Sequence, residues 1–169
     1  MHETTEDLAR LQALLDRSAT GAGPHLAGII TDERRLAAPR LCETLTGMRL
    51  LVVGTVTADG RPLVGPVDGY LLHGSFHFGS GRDSVRIRHL SSRPAVSASH
   101  VPGEELAVTV HGTAELYDVN DPASPALRQA MLDHYLPIQG PVFEAWLDRS
   151  DAVGVRVRAD KMFTFCTGA

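Results

Sequence analysis

Phe76-His77-Phe78-Gly79-Ser80-Gly81-Arg82-Asp83-Ser84-Val85-Arg86-Ile87-Arg88-His89-Leu90 joins a short apolar strand, a Gly/Ser turn and an arginine-bearing helix in one unbroken stretch. Such a join gathers backbone N–H groups, hydroxyls and guanidinium forks at a helix N-terminus, where the macrodipole already favours negative charge. Arginine suits a phosphate because its planar donors bind two oxygens at once. The stretch reads as an anion site, with the rest of the chain built around it.

Upstream of this corner the pattern is that of strands and tight turns. Arg49 to Thr57 is β-rich and largely apolar, and Ala58-Asp59-Gly60 is a hairpin signal. Pro62 to His73 returns, and His73-Gly74-Ser75 turns the chain into Phe76 to Gly79. Downstream, a helix is predicted over Ser84 to Ser92, then a strand over Pro94 to His100, a turn at Pro102-Gly103 and a long strand over Glu105 to Tyr117. That strand alternates: Leu106, Val108, Val110, Ala114 and Leu116 share one face, while Glu105, Thr109, His111, Thr113 and Glu115 share the other. Asp121-Pro122 opens a helical segment with the stripe Leu127, Met131 and Tyr135. Pro137 to Pro141 interrupts it, and Val142, Phe143, Trp146 and Leu147 form a second piece. Ala152 to Arg158 and Met162 to Cys166 close the chain as strand.

The N-terminal part reads differently. Thr5 to Arg17 is a helix with Leu8, Leu11 and Leu15 on one face and Thr4 or Thr5 as its cap. Gly21-Ala22-Gly23-Pro24 breaks it, and His25 to Arg35 reads as a linker with some extended structure. Pro39 begins a second helix, striped by Leu41, Cys42 and Leu45 and ended by Gly47. Six mostly antiparallel strands with flanking helices predict the α+β class: a small antiparallel β-barrel. A βαβ dinucleotide fold is disfavoured because strands arrive consecutively.

Composition narrows the function classes. The 169 residues carry a net charge of −4, which does not suit a sequence-independent nucleic-acid binder. The apolar runs are far too short to cross a bilayer, and the acidic start His2-Glu3-Thr4-Thr5-Glu6-Asp7 lacks a signal core, so a cytoplasmic protein is expected. Lys161 is the only lysine; so strong an arginine bias makes any single arginine weak evidence of function. Cys42 and Cys166 are isolated and read as reduced thiols. The histidine spacings match no zinc signature, and no Ser-His-Asp or Cys-His constellation offers a nucleophile.

From about Arg40 to Phe165 the residues resemble the FMN-binding split-barrel superfamily, which includes pyridoxamine 5'-phosphate oxidase-like proteins and deazaflavin-dependent reductases. The matching text is Gly54 to Pro62, Val64-Gly65-Pro66-Val67-Asp68-Gly69, Phe76 to Leu90, Arg93 to Ser97 and Arg158 to Phe165. The resemblance implies a six-stranded split barrel over residues 39–169, with residues 1–38 as an N-terminal helical extension and linker. It implies a homodimer with FMN, a deazaflavin coenzyme (F-420) or, in some members, haem in a cleft between subunits.

Carried onto this chain, the family's phosphate motif falls on Ser80, Ser84 and Arg86, with Val85 where the oxidases have another arginine. The segment lying along the flavin ring falls on Gly65 to Leu71, so Pro66, Val67, Asp68 and Gly69 are expected at the ring, with Gly79 beside it. A glutamine that contacts the flavin falls on Ala107, and His111 shares a strand with it, able to donate to a ring or ligate haem iron. The C-terminal Trp and Arg-x-His elements that bind pyridoxine phosphate are missing, so pyridoxamine 5'-phosphate oxidase activity itself is not expected.

The residues alone leave alternatives open. Ser80, Ser84 and Arg86 read either as phosphate ligands or as helix caps facing solvent. Arg82 either joins Arg86 on the anion or pairs with Asp83. Asp68 contacts a cofactor, caps a turn or pairs with Arg61. Three functions follow: an FMN- or deazaflavin-dependent oxidoreductase with a small-molecule substrate, a non-catalytic haem- or flavin-binding carrier or sensor, and a barrel that acts only in protein contacts.

Overall fold

A computed structural model describes residues 3–168; Met1, His2 and Ala169 lie outside the described residues. Six antiparallel strands close into a barrel: β1 (Arg49–Val56), β2 (Pro62–Leu72), β3 (Ser75–Gly81), β4 (Ala95–His100), β5 (Leu106–Asp118) and β6 (Ala152–Cys166). Their order around the barrel is β1-β2-β3-β6-β5-β4, and β4 returns to β1 through Val52 opposite Ser99 and Gly54 opposite Ser97. The expected α+β split barrel is the fold found.

Alternation decides which side chains fill it. Leu51, Val53, Leu71, Phe76, Phe78, Val108, Val110, Val155 and Val157 are buried in one cluster, the barrel core. The β2–β3 hairpin turns on two residues, His73 at φ 51° and Gly74 at φ 72°, with Leu72 opposite Ser75. Both angles are positive, as a turn matching the twist of its strands requires.

The N-terminal segment packs onto the barrel. Helix α1 (Thr5–Thr20) begins with a capping box in which Thr4 and Asp7 exchange side-chain and backbone bonds. It runs one turn beyond the expected Arg17, because Ser18 is buried at its end. The Ser18 hydroxyl donates to the Leu14 carbonyl at 2.7 Å and accepts from the Met162 N–H of β6 at 2.9 Å. Leu11, Leu14 and Leu15 join the barrel cluster, as do Leu41 and Cys42 of helix α3 (Ala38–Thr44).

Three local readings are corrected. Residues 25–35 are helical rather than extended: α2 (Pro24–Ile29), with Pro24 at its first position, and a 3-10 turn over Asp32–Arg34. β6 is one 15-residue strand instead of two pieces, since a bulge opposite His111 and Gly112 absorbs the irregularity near Asp160. The helix after β5 starts at Pro125 rather than Pro122, after a turn in which the Asp121 carboxylate accepts from Ala123 N–H. This helix, α5 (Pro125–Gln139), and α6 (Pro141–Arg149) form a hairpin against the outside of β2. Helix α4 (Val85–Ser92) lies between β3 and β4.

Candidate active site

The outer face of β2 carries Val64, Pro66, Asp68, Tyr70 and Leu72, one residue in two. Its C-terminal half is roofed: Tyr70 and Leu72 are buried with Leu127, Ala130, Leu132, Phe143 and Leu147 of the α5–α6 hairpin. Its N-terminal half is open, with Val64 63% exposed. Where roof gives way to open strand, a groove runs along the barrel. One part, about 370 Å³, is bounded by Leu50, Pro66, Val67, Asp68, Tyr70, Gly79, Arg86, Met131 and Tyr135. An adjoining part of about 490 Å³ shares Asp68, Gly79, Met131 and Tyr135 and extends past Ser80 and Gly81 to Phe143 and Trp146. Those volumes are of the size that takes a cofactor or small substrate.

At the anion corner, Ser84 caps α4 by accepting from Ile87 N–H at 3.1 Å, and its oxygen lies 3.0 Å from that of Ser80. Each hydroxyl keeps one rotatable proton. The Arg86 side chain turns back across β2, its Nη2 donating to the Pro66 carbonyl over a long 3.4 Å. A Cβ at residue 65 would stand 3.0 Å from the guanidinium, so glycine there leaves room for the crossing. Burial pulls the Arg86 pKa below its ordinary value, yet among the described residues no carboxylate lies in ion-pair range of it. A half-desolvated cation without an anion is an incomplete arrangement.

Pro66, Val67, Asp68 and Gly79, four of the residues expected at a ring, all border the groove. Gly79 faces Met131, whose Sδ lies 3.7 Å from where a Cβ would be. Asp68 is half-buried and accepts from the Tyr135 hydroxyl, a partner none of the sequence alternatives named; Arg61 pairs with Asp59 instead. Burial, with the carboxylate beside it, pushes the Tyr135 hydroxyl up to about 12.

Other expected residues lie elsewhere. Gly69 is enclosed by Leu51, which would clash with any Cβ, so it serves inward packing. Val85 is exposed on α4. Arg82 meets neither Arg86 nor Asp83: its nearest acid is Asp151, at 3.9 Å, and it borders a separate depression with Arg88 and Tyr117. His111 is exposed and hydrogen-bonded to Ser97 at 2.8 Å, away from the groove.

Sequence reasoning missed the outer wall. Met131 and Tyr135 were seen as a helical stripe and Trp146 as packing, but they border the groove. Tyr135, Phe143 and Trp146 form a run of rings with centroids 4.6 and 5.6 Å apart. An unexplained carboxylate at Asp68 and the Leu127, Met131 and Tyr135 stripe on α5 were the available signals; their meeting was not.

Neither a protein-family profile nor a curated protein sequence matches the chain. Solved structures do. A conserved hypothetical protein, Rv2991 of Mycobacterium tuberculosis, superposes with a TM-score of 0.65 at 19% identity, over 80% of this chain and 88% of the other. The haem storage protein HutZ of Vibrio cholerae gives 0.62 at 17% identity, over 75% and 93%. An F420 reductase gives 0.55 at 22% identity, over 71% and 93%. This is the split-barrel fold that the sequence resemblance implied.

Proposed function

We propose that the chain is an oxidoreductase using FMN or a deazaflavin coenzyme, with the phosphate at Arg86 and the ring in the groove beneath α5. The observation that carries this reading is the Arg86 guanidinium: half-desolvated, short of donors' partners and bordering a groove of cofactor size. The two hydroxyls of Ser80 and Ser84 stand ready to turn toward the same anion. Pro66, Val67 and Gly79 offer the flat apolar wall a ring requires, and the aromatic run on α5–α6 faces them. When bound, the coenzyme would supply the hydride or electron transfer; the protein residues bind, orient and keep water from the ring. The fold shared with an F420 reductase is in keeping with this reading.

A second copy of the chain is the proposed partner. Leu50, Val52 and Val64 are large, exposed and contiguous across β1 and β2, since Leu50 stands opposite Asp68, Val52 opposite Pro66 and Gly54 opposite Val64. That apolar strip adjoins the groove, so a partner covering it would also enclose the ring.

The likeness to HutZ favours a second reading, a haem carrier. Histidine is a common haem ligand, and among the described residues none borders the groove. His73, His77, His89, His100 and His111 each hold a protein partner through Nδ1.

Spectroscopic titration of the purified protein with FMN, coenzyme F420 and haemin separates these readings, with sedimentation reporting the dimer. Micromolar or tighter binding of FMN or F420 is expected, and Arg86→Glu should weaken it at least 100-fold in a protein of unchanged mass and melting temperature. A Soret band, equal affinity in the variant, or a monomeric wild type would each overturn the corresponding part.

A further inference from the structure

The inner wall of the groove holds two polar groups that phosphate binding does not use. Tyr70 is 2% exposed and borders the groove, yet its hydroxyl has no hydrogen-bond partner among the described residues. A buried hydroxyl normally finds one, and phenylalanine would fill the same space without the cost. Beside it, Asp68 spends Oδ2 on Tyr135, while Oδ1 accepts nothing from any described residue. Burial, and then Tyr135 and Asp68 beside it, push the Tyr70 phenol pKa well above its ordinary value, so it keeps its proton and remains a donor.

We infer that Tyr70 and Asp68, with Asp68 held in place by Tyr135, receive the imide edge of the coenzyme ring: a ring carbonyl accepts from Tyr70 and the neighbouring ring N–H donates to Asp68. This rests on the flavin or deazaflavin reading above. A donor beside a carboxylate is complementary to N–H beside C=O in one plane, the pattern that the pyrimidine rings of flavins and deazaflavins share. It does not match a tetrapyrrole, whose carboxylates Asp68 would repel. The Tyr70 hydroxyl is covered in this structure, so a wall side chain must move on binding. Met131, unbranched and flexible, borders both parts of the groove and is the one suited to do so.

The test is fluorescence titration of wild type, Tyr70→Phe and Asp68→Ala with FMN and coenzyme F420, and with the N3-methylated form of whichever binds. Each substitution should weaken coenzyme binding about 10-fold, the loss of one buried hydrogen bond. N3-methylation should weaken binding to wild type by a similar factor and cost the Asp68→Ala variant nothing further. Tyr70→Phe removes only an unpartnered oxygen, so its melting temperature should hold or rise, separating a binding defect from a folding one. If the wild type binds coenzyme and both variants match it, the imide contact is wrong while the cofactor reading stands. If the wild type binds neither coenzyme, both fall together.

Discussion

The two sides of this barrel treat polar groups in opposite ways. On the N-terminal side every buried polar contact is closed internally. Gln12 accepts from Ala38 N–H at 2.8 Å, Thr164 from Leu36 N–H at 2.9 Å, and Ser18 from Met162 N–H. Asp7 bonds the Thr4 backbone and reaches His73 at 3.1 Å, fastening α1 to the β2–β3 hairpin. On the groove side, among the described residues, Arg86 has no carboxylate in ion-pair range and the Tyr70 hydroxyl has no hydrogen-bond partner. Folding alone would favour the first pattern everywhere, because an unmade buried hydrogen bond costs about 1–3 kcal/mol. The difference separates a surface whose polar groups are satisfied within the chain from one whose polar groups are not, which is what the proposed cofactor site requires.

Substitutions on the closed side should therefore act on stability and leave the groove alone. The largest effect belongs to Leu11, 2% exposed and packed against Gly74 as well as the barrel core. Leu11→Ala should cost about 2–5 kcal/mol in chemical denaturation, with coenzyme affinity per folded molecule unchanged. A large loss of affinity in the folded fraction would show that α1 is part of the site. Thr164→Val keeps the shape but orphans the Leu36 N–H, and should cost about 1–3 kcal/mol. A neutral result would mean that the strap is not fixed by that bond.

Acid sharpens the comparison through a group on neither side. His77 is buried against the Tyr117 hydroxyl at 2.8 Å, and burial with Arg156 nearby drops its pKa from 6.5 to about 3. Between those values the unfolded chain binds a proton that the folded chain refuses, so stability falls as pH drops below 6.5 and levels near 3. His77→Gln should flatten that part of the stability–pH profile. Asp7 acts lower: its backbone bond to Thr4, chiefly, holds its pKa below the usual 3.8, so its contribution is full above that value and disappears as pH falls through the folded one. A profile unchanged by His77→Gln would place the acid sensitivity elsewhere.

Much of this architecture could be read from local chemistry. The His73-Gly74 turn and the alternation along β5 from Leu106 to Ala114 are each decided within a few residues, and each was found where expected. What escaped depends on distant partners. Residues 25–35 carry little periodicity, and their short helices are held by distant partners: Leu36 N–H meets Thr164, and Arg34 lies over the Phe165 ring. Asp68 looked like a misplaced carboxylate because Tyr135 lies 67 residues further on. Nothing local to either residue says that α5 folds back over β2. The corner of Ser80, Ser84 and Arg86 lay between these cases: the three lie near one another as their spacing suggested, but the arm of Arg86 reaching the Pro66 carbonyl is a tertiary fact.

The most direct test of the groove as a phosphate-bearing cofactor site compares each coenzyme with its dephosphorylated form on the wild-type protein, FMN against riboflavin and coenzyme F420 against its phosphate-free chromophore. If Arg86 grips the phosphate, the phosphorylated form of one pair should bind roughly 10- to 100-fold more tightly, as a charge-assisted contact to a half-buried guanidinium requires. Equal affinities within both pairs would contradict the account.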